Sequence, residues 1–133
     1  SALVKLYVEE PGSREVQGLI EQAGRAGTSR ISYVEARAAF ARRQREGALS
    51  KAHYQEAVKS LERDWETFLL LDLTQPILRS AGDLTERHAL RAYDAIHLAT
   101  ALSVRPALAM EFVAADERLL AAAAKEGLVT RRA

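Results

Sequence analysis

Hydrophobic residues follow two different periods along this chain, which predicts a protein that contains both helices and strands. Apolar positions at helical spacing, such as Val16, Leu19 and Ile20, predict amphipathic helices. Short apolar runs between these segments have the length of strands. The predicted strands are residues 28–31, 68–73, 112–115 and 128–130. The first eight residues have no clear period, so their pattern is compatible with either a helix or a strand.

Residues that favour helix N-termini stand at the start of several helical segments. Ser13, Ser50 and Asp116 are predicted N-caps, and Ser32 with Glu35 has the Ser-x-x-Glu pattern of a capping box. Strands that alternate with helices predict a single α/β domain over residues 1–133, with a mostly parallel sheet and helices on both faces. Ligand sites in such sheets lie at the carboxyl ends of the strands. The residues that follow each strand are therefore the first candidates for function.

The composition is that of an ordinary globular domain, with 48% hydrophobic and 28% charged residues. The absence of cysteine excludes disulfides, zinc-thiolate sites and cysteine nucleophiles, and it suits a cytoplasmic location. The net charge is only +1, so a nucleic-acid partner would have to be bound by a local patch. No apolar run reaches the roughly 18 residues of a membrane span, so we expect no membrane partner.

Three acids follow predicted strands or begin predicted helices: Glu35, Asp94 and Asp116. Each has a structural alternative, since Glu35 fits the capping box, Asp94 a first helical turn and Asp116 an N-cap. Carboxylates that converge at one end of a sheet repel each other unless a cation joins them. Oxygen ligands alone favour Mg²⁺ or Mn²⁺, which retain waters and accept a phosphate oxygen. The pattern therefore predicts metal-dependent phosphodiester hydrolysis.

Four stretches resemble, in order, the PIN-domain endoribonucleases of the VapC toxin type, which belong to toxin–antitoxin systems. They are residues 1–7 (SALVKLY), 31–35 (ISYVE), 90–101 (LRAYDAIHLATA) and 112–119 (FVAADERL). The third is the most specific. The resemblance implies a three-layer α/β/α domain with a mostly parallel sheet of about five strands. It also implies that Glu35, Asp94 and Asp116 are both the catalytic residues and the ligands of Mg²⁺ or Mn²⁺.

The resemblance further implies an RNA substrate, a cognate antitoxin and a homodimer. We expect the antitoxin to contact the apolar helices over residues 16–23 and 36–40. The family's first strand and first Asp lie upstream of Ser1, so we expect them to be missing from this numbering. A chain that begins at Ser1 should then have weak or no nuclease activity. The family often has Thr two residues before its last acid, where this chain has Ala114.

Two other functions fit parts of the pattern. Asp72 follows an apolar strand, as does the phosphoacceptor of a receiver signalling domain. A noncatalytic PIN-like scaffold that binds RNA or protein is the second alternative.

Further basic residues are candidates for contact with RNA. Arg91 is a candidate phosphate contact beside Asp94. Four more arginines follow Glu35 and fit either RNA contacts or a solvated helix face: Arg37, Arg42, Arg43 and Arg45. His97 fits a packed histidine better than a general base.

Overall fold

The computed structural model describes residues 2–133, which fold into six α-helices and four short strands. The helices are α1 (Ser13–Ala23), α2 (Ile31–Arg45), α3 (Lys51–Trp65), α4 (Gln75–His88), α5 (Ala92–Val104) and α6 (Glu117–Lys125). The strands are β1 (Gly27–Ser29), β2 (Leu69–Leu71), β3 (Glu111–Ala114) and β4 (Val129–Arg132). A 3₁₀ helix covers Leu3–Leu6. The α/β class expected from the sequence is confirmed.

The chain divides into two compact units, of which the first ends at Leu70 and the second begins at Leu71. The single domain predicted over residues 1–133 stays a prediction.

The core of the first unit lies where α2 packs against α3. Apolar residues four positions apart form one stripe on each helix, because such residues share a helical face. The fully or nearly fully buried members are Ala36 and Phe40 on α2 and Ala57, Leu61 and Trp65 on α3. Strand β1 pairs with β2, and the Leu69 N–H donates to the Ala26 carbonyl at 2.9 Å.

The second unit contains a βαβ arrangement, in which α6 connects two parallel strands. Strand β3 pairs with β4 from Glu111 opposite Val129 to Ala114 opposite Arg132. Parallel neighbours need such a crossover because the chain has to return to the starting edge of the sheet. Helices α4 and α5 pack together in the same unit. The core is rich in alanine and leucine, including Leu84, Ala95, Leu98, Ala99, Leu119, Ala122 and Ala123.

Several predicted element boundaries differ from the observed ones. Strand β1 ends at Ser29 because Arg30 already has right-handed helical angles (φ −57°, ψ −24°). Ser32 consequently lies inside α2, and no side chain in the described part of the chain caps the start of that helix, so the predicted capping box with Glu35 is wrong. The Ser32 hydroxyl instead shares a hydrogen bond of 2.6 Å with the Thr28 hydroxyl. Within residues 2–133 the strands form two separate pairs rather than one continuous sheet.

The helix starts at Ser50 and Asp116 are confirmed. Ser50 accepts the His53 N–H at 3.1 Å, and Asp116 is the N-cap of α6. Across the described part of the chain, no helix combines the length and the apolar character that crossing a membrane requires.

Candidate catalytic carboxylates

Asp116 stands between strand β3 and helix α6 and caps that helix. Its Oδ1 atom accepts the backbone N–H of Leu119 at 2.9 Å. The hydrogen bond orients the carboxylate, while the residue as a whole is exposed to solvent. A carboxylate has two oxygens with several lone pairs, so capping through Oδ1 is compatible with a cation on Oδ2. The structural role of Asp116 therefore does not exclude a catalytic one.

Asp94 lies in the first turn of α5 and is half-buried. The helix N-terminus carries a partial positive charge, which stabilises the ionised carboxylate. Two nearby residues are 0% exposed: Ala95, which is adjacent to Asp94, and Leu98, which is one turn further along. This face of the helix therefore packs into the core. Its neighbour His97 is also half-buried, and both Asp94 and His97 take part in interactions within the chain. That is consistent with a packed histidine.

Glu35 lies on α2 in the first unit and is half-buried. Three hydroxyl-bearing residues precede it in the sequence near the carboxyl end of β1: Thr28, Ser29 and Ser32. Ser29 is 2% exposed, and its Oγ atom is buried without a hydrogen-bond partner among residues 2–133. Buried polar atoms are normally hydrogen-bonded, and the Ser29 hydroxyl stands at the end of a strand, where ligands of α/β sheets bind. Ser29 was not among the candidate residues predicted from the sequence, although a serine directly at the end of a strand is a signal for such a position.

The carboxylates match a hard divalent cation in the chemistry of their donors. Oxygen ligands suit Mg²⁺ and Mn²⁺, and Mg²⁺ commonly uses only one or two protein carboxylates because it retains several waters. Glu35 belongs to the first unit, whereas Asp94 and Asp116 belong to the second. In the part of the chain that the structure covers, no three Asp, Glu, His or Cys side chains form a group able to hold a metal ion. The three-carboxylate centre therefore stays a prediction.

The arginines that follow Glu35 divide into two kinds. Arg37 donates to the Tyr33 hydroxyl at 2.8 Å and pairs with Glu62 at 3.5 Å. Hydrogen bonds to Tyr54 and Tyr33 raise the pKa of Arg37 above its ordinary value. Arg43 pairs with Glu10, so it too is part of the first unit's own ion pairs. Arg42 and Arg45 are exposed in the last turn of α2, and Arg91 is the exposed N-cap of α5.

The segments expected to contact an antitoxin contain both buried and accessible residues. Ala36 and Phe40 are both 0% exposed, and Val16 on α1 is 3% exposed. These side chains face the interior because they form the apolar stripes that the first unit buries. The side chains of Ala36 and Phe40 are therefore not accessible to a partner in this structure, and the expected antitoxin contact over residues 16–23 and 36–40 stays a prediction. Val34, at 64% exposure, is the accessible apolar residue on α2 beside Glu35.

Comparison with known proteins gives one family and several relatives. Residues 1–126 match the model of the PIN domain. Two relatives from Mycobacterium tuberculosis are 41% identical over 108 residues, which is 78% of this chain and 72% of each relative. They are Ribonuclease VapC45 of strain CDC 1551 / Oshkosh and Ribonuclease VapC49 of strain ATCC 25618 / H37Rv. Ribonuclease VapC47 of strain CDC 1551 / Oshkosh is 34% identical over 134 residues, covering 98% of this chain and 90% of the relative.

Proposed function

This chain belongs to the PIN-domain family and is of the VapC type, and we propose that it is a metal-dependent endoribonuclease toxin that hydrolyses RNA phosphodiester bonds. The observation that carries the proposal is the 41% identity over 108 residues to two relatives named as ribonucleases. The match to the PIN domain over residues 1–126 favours this function over a receiver domain that uses Asp72. An RNA substrate and a chain without cysteine suit the cytoplasm.

The residues proposed to hold Mg²⁺ or Mn²⁺ are Glu35, Asp94 and Asp116. When bound, a divalent ion polarises the scissile phosphate and lowers the pKa of the water that attacks this phosphate. Asp116 contributes an oriented carboxylate, because the Leu119 N–H holds one of its oxygens. Asp94 contributes a half-buried carboxylate in the positive first turn of α5. Support for these roles comes from the positions of Asp94 and Asp116 at helix starts and from the oxygen donors that all three acids offer.

Arg91 is proposed to bind an RNA phosphate. Arg91 is exposed and stands three residues before Asp94, at the N-cap of the same helix. Such a contact positions the RNA strand and carries no information about its sequence. We further propose that a cognate antitoxin covers the carboxylates and that the protein forms a homodimer, as the resemblance to VapC toxins implies.

The direct test is cleavage of a panel of structured RNAs by the full-length natural protein with Mg²⁺, with Mn²⁺ and with a chelator. We expect cutting with either ion, none with the chelator, and a loss of about 100-fold or more in Asp94→Asn and Glu35→Gln. Asp83→Asn is the matched control, because Asp83 is an exposed acid on α4 outside the proposed site.

Chelator-resistant cutting, or full activity in Asp94→Asn, would contradict the mechanism. RNA binding without cutting under any of these ions would instead favour the noncatalytic scaffold.

A further inference from the structure

A basic groove of about 340 Å³ lies in the second unit, between the C-terminal end of α4 and one face of α6. Its charged lining includes Arg87, Arg118 and Lys125, with Glu86 as the acidic member. The whole protein has a net charge of only +1, so this concentration of cations is local. A local basic surface is what a nearly neutral protein needs in order to bind a polyanion.

Internal ion pairs neutralise one side of this groove. Glu126 accepts from Arg87 Nη1 at 2.6 Å and lies 2.6 Å from Nε2 of His88. The hydrogen bonds from His88 and then Arg87 hold the pKa of the Glu126 carboxyl below its ordinary value, so the carboxylate is ionised at neutral pH. The Arg87 charge is therefore largely compensated within the protein.

The other side of the groove has uncompensated cations. Arg118 and Lys125 are exposed, and within residues 2–133 neither of them forms an ion pair. They are seven residues apart on α6, which places them two turns, or about 10 Å, apart on one face. Ala121 and Ala122 lie between them in the groove lining. Their small side chains leave room for an extended strand to approach the helix.

The same helix begins at a candidate catalytic residue. Asp116 caps α6 and stands two residues before Arg118, so a strand that follows the groove along α6 runs towards Asp116. We propose that this groove binds the phosphodiester backbone of a single-stranded segment of the substrate RNA, with Arg118 and Lys125 each contacting a phosphate. The inference rests on the proposed ribonuclease function and adds a site for RNA beyond the carboxylates.

The salt dependence of RNA binding tests the proposal without relying on cleavage. A fluorescent single-stranded oligonucleotide is titrated with the protein at several KCl concentrations, with a chelator present. Each phosphate contact contributes about 0.7 to the slope of log affinity against log salt for single strands. We expect Arg118→Gln/Lys125→Gln to lower that slope by about 1.4, which corresponds to about 25-fold weaker binding at 0.1 M salt if affinities converge at 1 M. Lys125→Gln alone should lower it by about 0.7.

Two further variants separate phosphate contacts from general effects of charge or folding. Lys59→Gln/Arg79→Gln removes the same charge from exposed positions on α3 and α4 outside the groove and should keep the wild-type slope. Arg118→Lys/Lys125→Arg keeps both positive charges and should also keep the wild-type slope. Three results would overturn the proposal: an unchanged slope in Arg118→Gln/Lys125→Gln, an equal decrease of the slope in the Lys59/Arg79 control, or no RNA binding by the wild type.

Two parallel measurements identify other outcomes. A poly-glutamate peptide is titrated in place of RNA, and dependence on Arg118 and Lys125 for the peptide but not for RNA would assign the groove to an acidic protein partner and refute RNA binding. RNA cleavage is measured with Mg²⁺. RNA binding that depends on Arg118 and Lys125, without any cleavage, would contradict the ribonuclease function alone. RNA cleavage by Arg118→Gln/Lys125→Gln with the KM of the wild type would contradict the groove proposal alone.

Discussion

Asp116 combines a structural and a proposed catalytic role, and substitutions can separate the two. Its Oδ1 atom caps α6 by accepting the Leu119 N–H at 2.9 Å. Asparagine caps helices about as well as aspartate, so Asp116→Asn removes the charge and keeps the cap. Alanine removes both.

The expected costs follow from this geometry. Loss of an N-cap destabilises a protein by about 1 kcal/mol. Loss of a negative charge at an exposed helix N-terminus costs about 0.5 kcal/mol. We therefore expect the free energy of unfolding to fall by about 0.5 kcal/mol in Asp116→Asn and by about 1.5 kcal/mol in Asp116→Ala. Urea unfolding followed by circular dichroism measures both values.

The variants should rank differently by RNA cleavage than by stability. If the Asp116 carboxylate binds the metal, both variants lose cleavage by a similar factor of about 100 or more, although only one of them loses the cap. Ser50→Ala is the matched control, because Ser50 caps α3 through the His53 N–H at 3.1 Å and has no proposed part in catalysis. It should lose about 1 kcal/mol of stability and keep its cleavage rate.

Three results would refute this reasoning. Wild-type cleavage by Asp116→Asn would show that the carboxylate charge is not needed. Equal stability of Asp116→Ala and the wild type would show that the cap contributes nothing. A loss of cleavage in Ser50→Ala as large as in Asp116→Asn would show that activity follows stability rather than the carboxylate.

The remaining predictions concern stability and are measured by chemical unfolding. The pKa of Glu126 is lowered in the folded protein from its ordinary value of 4.5, so its ionised form stabilises the fold above that pH. The stability advantage over Glu126→Gln should shrink as pH falls below about 4.5 through the folded pKa; a constant difference down to pH 2 would contradict this. Gly82 lies inside α4 with open space at its Cβ position, so Gly82→Ala should stabilise by about 0.5–1 kcal/mol. Gly127 has a φ of +85° and a Cβ position 3.1 Å from Arg105 Nη1, so Gly127→Ala should destabilise the protein by about 1 kcal/mol or more. A change of unfolding free energy in the same direction for both glycine variants would contradict this pair of predictions. Leu98 is 0% exposed, and Leu98→Ala should cost about 3 kcal/mol, whereas Leu78→Ala at a 42% exposed position should cost far less.

Local chemistry explains which features of the fold were predictable. The helix starts at Ser50 and Asp116 were correct because an N-cap depends on one side chain and backbone N–H groups three residues away. The Ser32–Glu35 capping box was wrong because the backbone enters helical angles at Arg30, before Ser32 is reached. The motif was compatible with a cap, but the neighbouring Thr28 hydroxyl became the partner of Ser32.

The candidate site was predictable only as a set of residues. The resemblance identified Glu35, Asp94 and Asp116 by their positions in motifs, whereas their mutual distances depend on packing that no motif encodes. The antitoxin contact expected over residues 16–23 and 36–40 stays a prediction, since an apolar helical face predicts burial without saying what covers it, and Ala36 and Phe40 are covered by the protein's own core.

The sequence by itself determined the alternation of helices and strands, the family, and the acids that carry the proposed chemistry, because these depend on side-chain identity and spacing along the chain. Only the tertiary structure decided that the Ser29 hydroxyl is buried with no hydrogen-bond partner among the described residues. It also decided that the end of α4 lies against the face of α6 that carries Arg118 and Lys125. Residues 87 and 118 are far apart in sequence, and their proximity results from the packing of helices around a shared core.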